Sequence, residues 1–376
     1  MTPRVLFVAR TRYALPLTPT LQRRFDALSG VIDWRQFGTS STGDDVTDER
    51  FALVGRFPVA RLDGVWFYGA LALRLAREIR AFRPDVLIVQ GAEDTALALV
   101  GRRLARSSAP VVFDVHGDWR NSTRVYGSAG RRLASPIADG LARLTLRRAD
   151  AVRTVSGFTS SLVREYGVEP ISTFPAYMDL GPFLASQPKP FPPQSSALFV
   201  GVLERYKGVD VLADAWRRLV AARPGAQLHV VGAGRLEGLV RALADDPDLG
   251  ARWTERLDTA GVAKALDEAT LLVLPSRREG MGRVIVEAFC RGRPVVGTRS
   301  GGIPDLVEDG VNGLLVPADD AAALAVALGR VMDDVALAER LGGGAGAASK
   351  AWAATPEDFA RRMRELVDAV MARSRS

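Results

Sequence analysis

At 376 residues the chain exceeds one comfortable core, since domains usually hold roughly 100 to 200 residues, and two domains are expected. Its 47% hydrophobic content suits large cores, no apolar run approaches the roughly 20 residues a bilayer-spanning helix needs, and the single Cys290 excludes a disulfide framework or a cysteine metal site. The net charge of +7 is uneven: residues 1–178 carry 25 Arg, no Lys and 17 acids, whereas residues 179–376 carry 25 bases against 26 acids.

Met1-Thr2-Pro3-Arg4 leads straight into the apolar residues 5–9, too short a start for a signal peptide, so a first strand is expected over 4–9 in a cytoplasmic protein. Further strands are expected over 86–90, 111–115 and 151–155, with amphipathic helices over 71–82, 95–106, 137–148 and 159–166. The second half repeats the alternation, with strands over 197–200, 227–231, 271–274 and 294–297, each followed by a helix. Such alternation predicts parallel βαβ units in both halves. The prolines between Pro182 and Pro193 suit neither helix nor central strand, and the stretch 179–195 reads as a semi-rigid linker. Thr355-Pro356-Glu357-Asp358 starts a last helix. The expected division is 1–178, the linker, 196–352, and a C-terminal helical segment 353–376.

The most informative stretch runs from Pro275 to Glu287. An apolar strand ends at Leu274, Glu279 falls near its carboxyl tip, Gly280 and Gly282 follow, and Glu287 is expected about two turns into the next helix. Ligands of parallel α/β sheets lie beyond the carboxyl ends of the strands, where helix N-termini hold phosphate. Two carboxylates there suit hydroxyl groups, and glycines let backbone approach closely. Either glutamate alone reads equally as a helix-dipole partner or a solvated face residue; the pair with its glycines is the specific signal.

A second signal, Phe199 to Asp210, places Arg205 and Lys207 after the first strand of the second half, where a fork and a point charge could neutralise a diphosphate. As an isolated pair they would be surface cations. His116 stands just past an apolar strand, with Asp114 and Asp118 as weaker neighbours; His229 lies inside a strand and reads as structural. Gly232-Ala233-Gly234 resembles a dinucleotide fingerprint, but the final glycine, Gly238, is one residue late. The basic first half, dense between Arg120 and Arg153, reads either as a face for anionic lipid or an anionic substrate, or as an Arg-rich composition. No aromatic and basic interleaving points to nucleic acid.

Residues 201–208, 279–287, Gly292-Arg293-Pro294, Gly301-Gly302-Ile303-Pro304 and 312–317 together resemble the retaining GT-B glycosyltransferases of family 4, densely over about 195–320. The resemblance implies two Rossmann-like, doubly wound parallel-sheet domains facing a cleft, the second binding a nucleotide-sugar donor, and a final helix packing back on the first. It matches Lys207 and Arg205 to the donor diphosphate, along with backbone at Gly282, Arg283 and Val284. It matches Glu279 to the donor sugar, with His116 and the backbone of Gly280, Met281 and Gly282. Glu287 matches the ribose ligand, with Arg256 and Leu257 beside the nucleoside. Lys207, Glu279 and His116 are the catalytic candidates. Two departures stand out: Val202 occupies a position that usually holds Arg, and Arg10 to Pro16 replace a glycine-rich loop, so that Arg10 and Arg12 become candidates for acceptor or phosphate contact.

The implied activity is metal-independent, retaining sugar transfer to an acceptor hydroxyl on a glycan, a glycolipid or a small molecule, with no cofactor beyond the donor. The protein would be cytoplasmic, or peripheral at the inner face of the membrane. A nucleotide-sugar 2-epimerase-like isomerase and a non-catalytic nucleotide-sugar-binding subunit are the alternatives.

Overall fold

The computed structural model of the chain describes residues 2–55, 63–119, 135–352 and 354–375. Two compact units emerge, one of Met1–Tyr177 with Thr355–Ser376 and one of Met178–Ala354. Among the described residues no helix is long and apolar enough to cross a membrane.

In the first unit the strands are β1 (Arg4–Tyr13), β2 (Asp33–Ser40), β3 (Val46–Thr47), β4 (Phe51–Val54), β5 (Val86–Gln90), β6 (Val111–Val115), β7 (Ala151–Thr154) and β8 (Ser172–Thr173). They pair in the order β3-β4-β2-β1-β5-β6-β7-β8, parallel except for β3 against β4. The helices are α1 (Pro19–Ser29), α2 (Asp63–Phe82), α3 (Ala92–Ala105), α4 (Ser135–Arg148) and α5 (Gly157–Arg164). Val5, Leu6, Phe7 and Val8 are all buried because helices cover both faces of the sheet, which is why the central strands read as unbroken apolar runs.

Two features differ from expectation. β1 does not stop at Ala9: after a register shift between Val8 and Arg12 it continues to Tyr13, whose ring is buried against Phe25 and Phe51. Arg10 and Arg12 therefore lie on a strand and not in a loop. β2 and β4 lie outside the expected strands: β4 is a buried apolar run of only four residues, and β2 is Asp-Trp-Arg-Gln-Phe-Gly-Thr-Ser with Gln36 buried, its Nε2 donating to the Phe37 carbonyl at 2.9 Å. The last helix of the chain (Pro356–Arg375) inserts Phe359, Met363, Leu366, Val367 and Val370 against Phe25 and Leu28 of α1 and the sheet of the first unit.

The second unit holds β9 (Ser196–Val200), β10 (Gln227–Val231), β11 (Ala251–Thr254), β12 (Leu271–Leu274), β13 (Val295–Thr298) and β14 (Gly313–Val316). All are parallel, in the order β11-β10-β9-β12-β13-β14. Its helices are α6 (Gly181–Leu184), α7 (Val209–Ala222), α8 (Glu237–Ala244), α9 (Thr259–Asp267), α10 (Arg283–Cys290), α11 (Ala321–Asp333) and α12 (Val335–Ser349), which leaves α13 for the terminal helix. α7 and α11 pack on one face of the sheet around Trp216 and Leu328, and α9 and α10 on the other around Leu266 and Phe289. Cys290 is buried on that second face, in the role of core filler.

The stretch 179–195 is not a free-standing linker. Phe183 is buried with α9 and α10, and backbone carbonyls of the stretch are taken by two buried arginines. Arg291 donates to the carbonyls of Phe183, Ser186 and Gln187 at 2.7–3.0 Å, and Arg293 donates to that of Lys189 at 2.8 Å. A proline-rich backbone has no ladder of its own, so its carbonyls need outside donors.

Candidate functional site

In the second unit β9 connects outward through β10 and β11, and β12 connects the other way through β13 and β14. The reversal opens a crevice between the carboxyl ends of β9 and β12, the usual ligand position in such sheets. The loop after β9 delivers Lys207 and the loop after β12 delivers Glu279. Lys207 Nζ donates to Glu279 Oε2, and the two side chains are only 16% and 14% exposed.

Local structure fixes each arm. Residues Arg205–Lys207 form a 3-10 turn ending at Gly208, which holds φ +68° and whose missing Cβ would lie 2.0 Å from the Pro275 carbonyl oxygen, so only glycine fits. On the other arm the Glu279 carbonyl accepts from the Gly302 N–H at 2.9 Å. A Cβ on Gly301, at φ +59°, would stand 2.1 Å from the same oxygen. The glycine pair at 301–302 thus serves the close approach of two backbones.

Two helix N-termini open at this edge. That of α7 starts at Gly208, also without a side-chain cap, but carries the carboxylate of Asp210 in its first turn. That of α10 starts at Gly282 without any side-chain cap, so its first-turn N–H groups suit an outside anion. Arg283 and Val284 begin this helix, Arg283 exposed. Glu287 is one turn into α10, not two, because the helix starts at Arg283 and runs eight residues. Burial pushes its carboxyl up from its ordinary value, with Arg283 opposing.

The remaining residues singled out from the sequence fall in different places. Arg205 is turned away from Lys207: it is 80% exposed and leans toward Asp210 at 3.7 Å. The Met281 side chain is buried in the core, which leaves its backbone for any ligand. Arg256 and Leu257 follow β11, two strand positions out from β9, roughly 10 Å away by the strand spacing. Arg256 is exposed, and Leu257 packs on the core beneath.

In the first unit His116 stands directly beyond β6, and its Nε2 shares a hydrogen bond with Asp114 Oδ2 at 2.9 Å. Asp114 also accepts from the buried Arg153 at 2.6 Å. Burial would push the Asp114 carboxyl up, but Arg153 and His116 outweigh it and hold it well below its ordinary value. Arg10 lays its guanidinium near the rings of Phe67 and Tyr68, and Arg12 is exposed. Asp94, in the first turn of α3, was not singled out from the sequence. Burial pushes its carboxyl up to about 7, partly offset by the Arg10 backbone N–H.

His229 is confined to β10, its Nε2 2.9 Å from Thr254 Oγ1, and its buried Nδ1 has no hydrogen-bond partner among the described residues. Burial, then the charge of Arg252, pushes its pKa down to about 4 from 6.5. The unfolded chain therefore binds a proton below 6.5 that the folded chain refuses until about 4, and stability falls with pH in that window. The expected slope is about 1.4 kcal/mol per pH unit. Denaturant unfolding at pH 7 and pH 5 should show a smaller decline in His229→Gln than in the unsubstituted chain; equal declines would refute this.

Arg277 is the residue of this site that motif reading passed over, although it sits inside the stretch that drew attention. Its guanidinium binds Asp210 through both Nη atoms at 2.6 and 3.0 Å and Asp319 through Nε at 2.5 Å. The available signal was a cation directly after a strand whose neighbouring helix opens with an aspartate.

The family model described as glycosyl transferases group 1 matches residues 194–334, and that described as glycosyltransferase family 4 matches residues 30–180. A glycogen synthase of Mycobacterium tuberculosis is 31% identical over 271 residues, which cover 69% of this chain but only 63% of that protein. A GDP-mannose-dependent monoacylated alpha-(1-6)-phosphatidylinositol monomannoside mannosyltransferase of Corynebacterium glutamicum is 36% identical over 135 residues, 34% of this chain and 35% of that one. Among solved structures, the sucrose-phosphate synthase of Thermosynechococcus elongatus superposes with TM-score 0.77 at 19% identity, covering 98% and 99% of the two chains. Anabaena Alr3699/HepE in complex with UDP does so at 0.69 and 18%, covering 97% and 100%. With matches in both halves and two doubly wound sheets, the chain belongs to the group 1, family 4 glycosyltransferases and has the GT-B fold.

Proposed function

We propose that the protein is a retaining glycosyltransferase that moves a sugar from a nucleoside diphosphate to an acceptor hydroxyl. The observation that carries this reading is the Lys207 and Glu279 pair at the β9/β12 reversal, beside the uncapped N-terminus of α10. The diphosphate would lie against that N-terminus with Lys207 as its point charge, Glu279 would hold sugar hydroxyls, and Glu287 the ribose. The bond between the anomeric carbon and the leaving phosphate oxygen breaks, and the acceptor oxygen bonds to the same face of that carbon. The acceptor proton passes to a donor phosphate oxygen. Charge building on the diphosphate is met by Lys207 and helix N–H groups, so no metal enters this mechanism.

The acceptor is a glycan, a glycolipid or a small molecule, and the protein is cytoplasmic or peripheral on the membrane. Support for a membrane-facing surface comes from exposed Leu73, Val100, Leu104 and Leu144 on α2, α3 and α4, interspersed with exposed Arg77, Arg103, Arg143, Arg147 and Arg148. Arg131 and Arg132, in the same basic region of the sequence, lie outside the described residues. Equal sedimentation with neutral and anionic vesicles would reject that surface.

The decisive experiment measures nucleoside diphosphate release from UDP-, GDP- and ADP-sugars, with and without acceptors, beside a Glu279→Ala control. Release from one donor, lost in the control, supports the reading. Binding without release under every acceptor would favour a non-catalytic binder, and conversion of the donor without acceptor would favour an isomerase.

A further inference from the structure

Lys207 and Glu279 stand on separate loops 72 residues apart, and their meeting requires that the loops hold a fixed spacing. Arg277, in the loop after β12, touches the loops after β9, β13 and β14. The Arg277 guanidinium engages four hydrogen bonds: Nε with Asp319, Nη1 with Asp210 and with the Arg205 carbonyl, and Nη2 with Asp210. Its backbone N–H donates to the Tyr206 carbonyl at 2.8 Å, and its carbonyl accepts from Ser300 Oγ. Arg205 and Tyr206 belong to the turn that carries Lys207, and Arg277 is two residues before Glu279. Ser300 adjoins the glycine pair packed on Glu279. Asp319 lies in the loop before α11, with its backbone at φ +64°.

Arg277 is not itself placed to bind the donor. Four of its five N–H groups are already engaged by Asp210, Asp319 and the Arg205 carbonyl, and its charge is matched by the two carboxylates, which leaves little for an approaching diphosphate. The hydrogen bond and charge of Arg277 also outweigh the effect of burial on Asp210 and hold that carboxyl below its ordinary value. Asp210 thereby keeps its negative charge in the first turn of α7, whereas the first turn of α10 carries no acidic residue.

We propose that Arg277 is a positioning residue that sets the separation of Lys207 and Glu279, and through it the placement of the donor, without touching the donor. This rests on the glycosyl-transfer reading above. The fork geometry is what matters: a lysine at 277 retains the charge but cannot bridge Asp210 bidentately while also reaching Asp319 and the Arg205 carbonyl.

The test compares kcat, donor KM and thermal midpoint for the unsubstituted protein, Arg277→Ala, Arg277→Lys, Lys207→Ala and the Lys207→Ala/Arg277→Ala double variant. Arg277→Ala and Arg277→Lys should each lower kcat about a hundredfold, the loss expected from misplacing reacting groups by about an ångström. Donor KM should move far less. In the Lys207→Ala background the Arg277 change should add almost nothing, because its effect passes through Lys207. Full activity in Arg277→Lys, or losses that multiply in the double variant, would overturn the proposal. If Arg277→Ala does not fold, Arg277→Lys and Asp319→Asn carry the same test, the latter with a partial kcat loss expected. A protein that releases nucleoside diphosphate at the same rate with and without the Arg277 fork refutes this proposal alone. A protein that releases none from any donor refutes the transfer reading and takes this proposal with it.

Discussion

Replacing Lys207 with alanine should lower turnover about 10²- to 10³-fold, the range for removing one preorganised charge donor from a water-poor site, with little change in the folding midpoint. The free protein gives this expectation a second, sharper arm. Lys207 is held by Glu279, both largely buried, so a bound diphosphate must draw the ammonium away from a carboxylate that already neutralises it. Glu279→Gln keeps the shape of the side chain but removes its charge, and leaves Lys207 free to meet the anion. Nucleoside diphosphate alone should then bind at least as tightly as to the unsubstituted protein, while sugar transfer falls. Calorimetric titration with the diphosphate, paired with the release assay, separates the two effects. If binding and turnover fall together in Glu279→Gln, Glu279 serves only to orient Lys207 and the assignment of the sugar to it is wrong.

Arg291→Ala should cost about 3–5 kcal/mol of stability, the penalty for breaking a buried ion pair by removing one partner. Arg291 and Asp267 are 1% and 8% exposed and bind bidentately, Nε to Oδ1 at 2.9 Å and Nη2 to Oδ2 at 2.7 Å. The substitution leaves Asp267 charged in the core and removes the donor from three carbonyls of the stretch at 183–187. Local proteolysis near Ser186 should rise along with the loss measured by denaturant unfolding. Asp267→Asn, which retains one acceptor for Arg291, should cost less. A loss below about 1 kcal/mol in Arg291→Ala, the size typical of an exposed pair, would show that the pair is not desolvated in solution.

The membership of the family was legible in the residues themselves. Strands such as 86–90 and 271–274 announce themselves because both of their faces are covered, which demands unbroken apolar runs. Glu279, Lys207 and the glycines around them were legible for a different reason: close backbone approach and charge neutralisation tolerate few residue types. Less legible were β2, where Asp33, Arg35 and a buried Gln36 break any apolar pattern, the short β4, whose apolar run is only four residues long, and the extension of β1 through Arg10 and Arg12. Those segments become strands because a neighbouring strand supplies their hydrogen bonds, a condition that lies outside their own sequence.

By itself the sequence determined which segments alternate between strand and helix, and which loops carry cations, carboxylates and glycines, because those choices are made by local burial and backbone conformation. Only the tertiary structure decided that Lys207 meets Glu279 while Arg205 faces solvent, that Arg277 joins their loops, and that the proline-rich stretch is held by Arg291 and Arg293. Each of these depends on strand order and on which buried group finds a partner, and side chains distant in the chain are matched by packing and hydrogen-bond satisfaction, which sequence spacing does not encode.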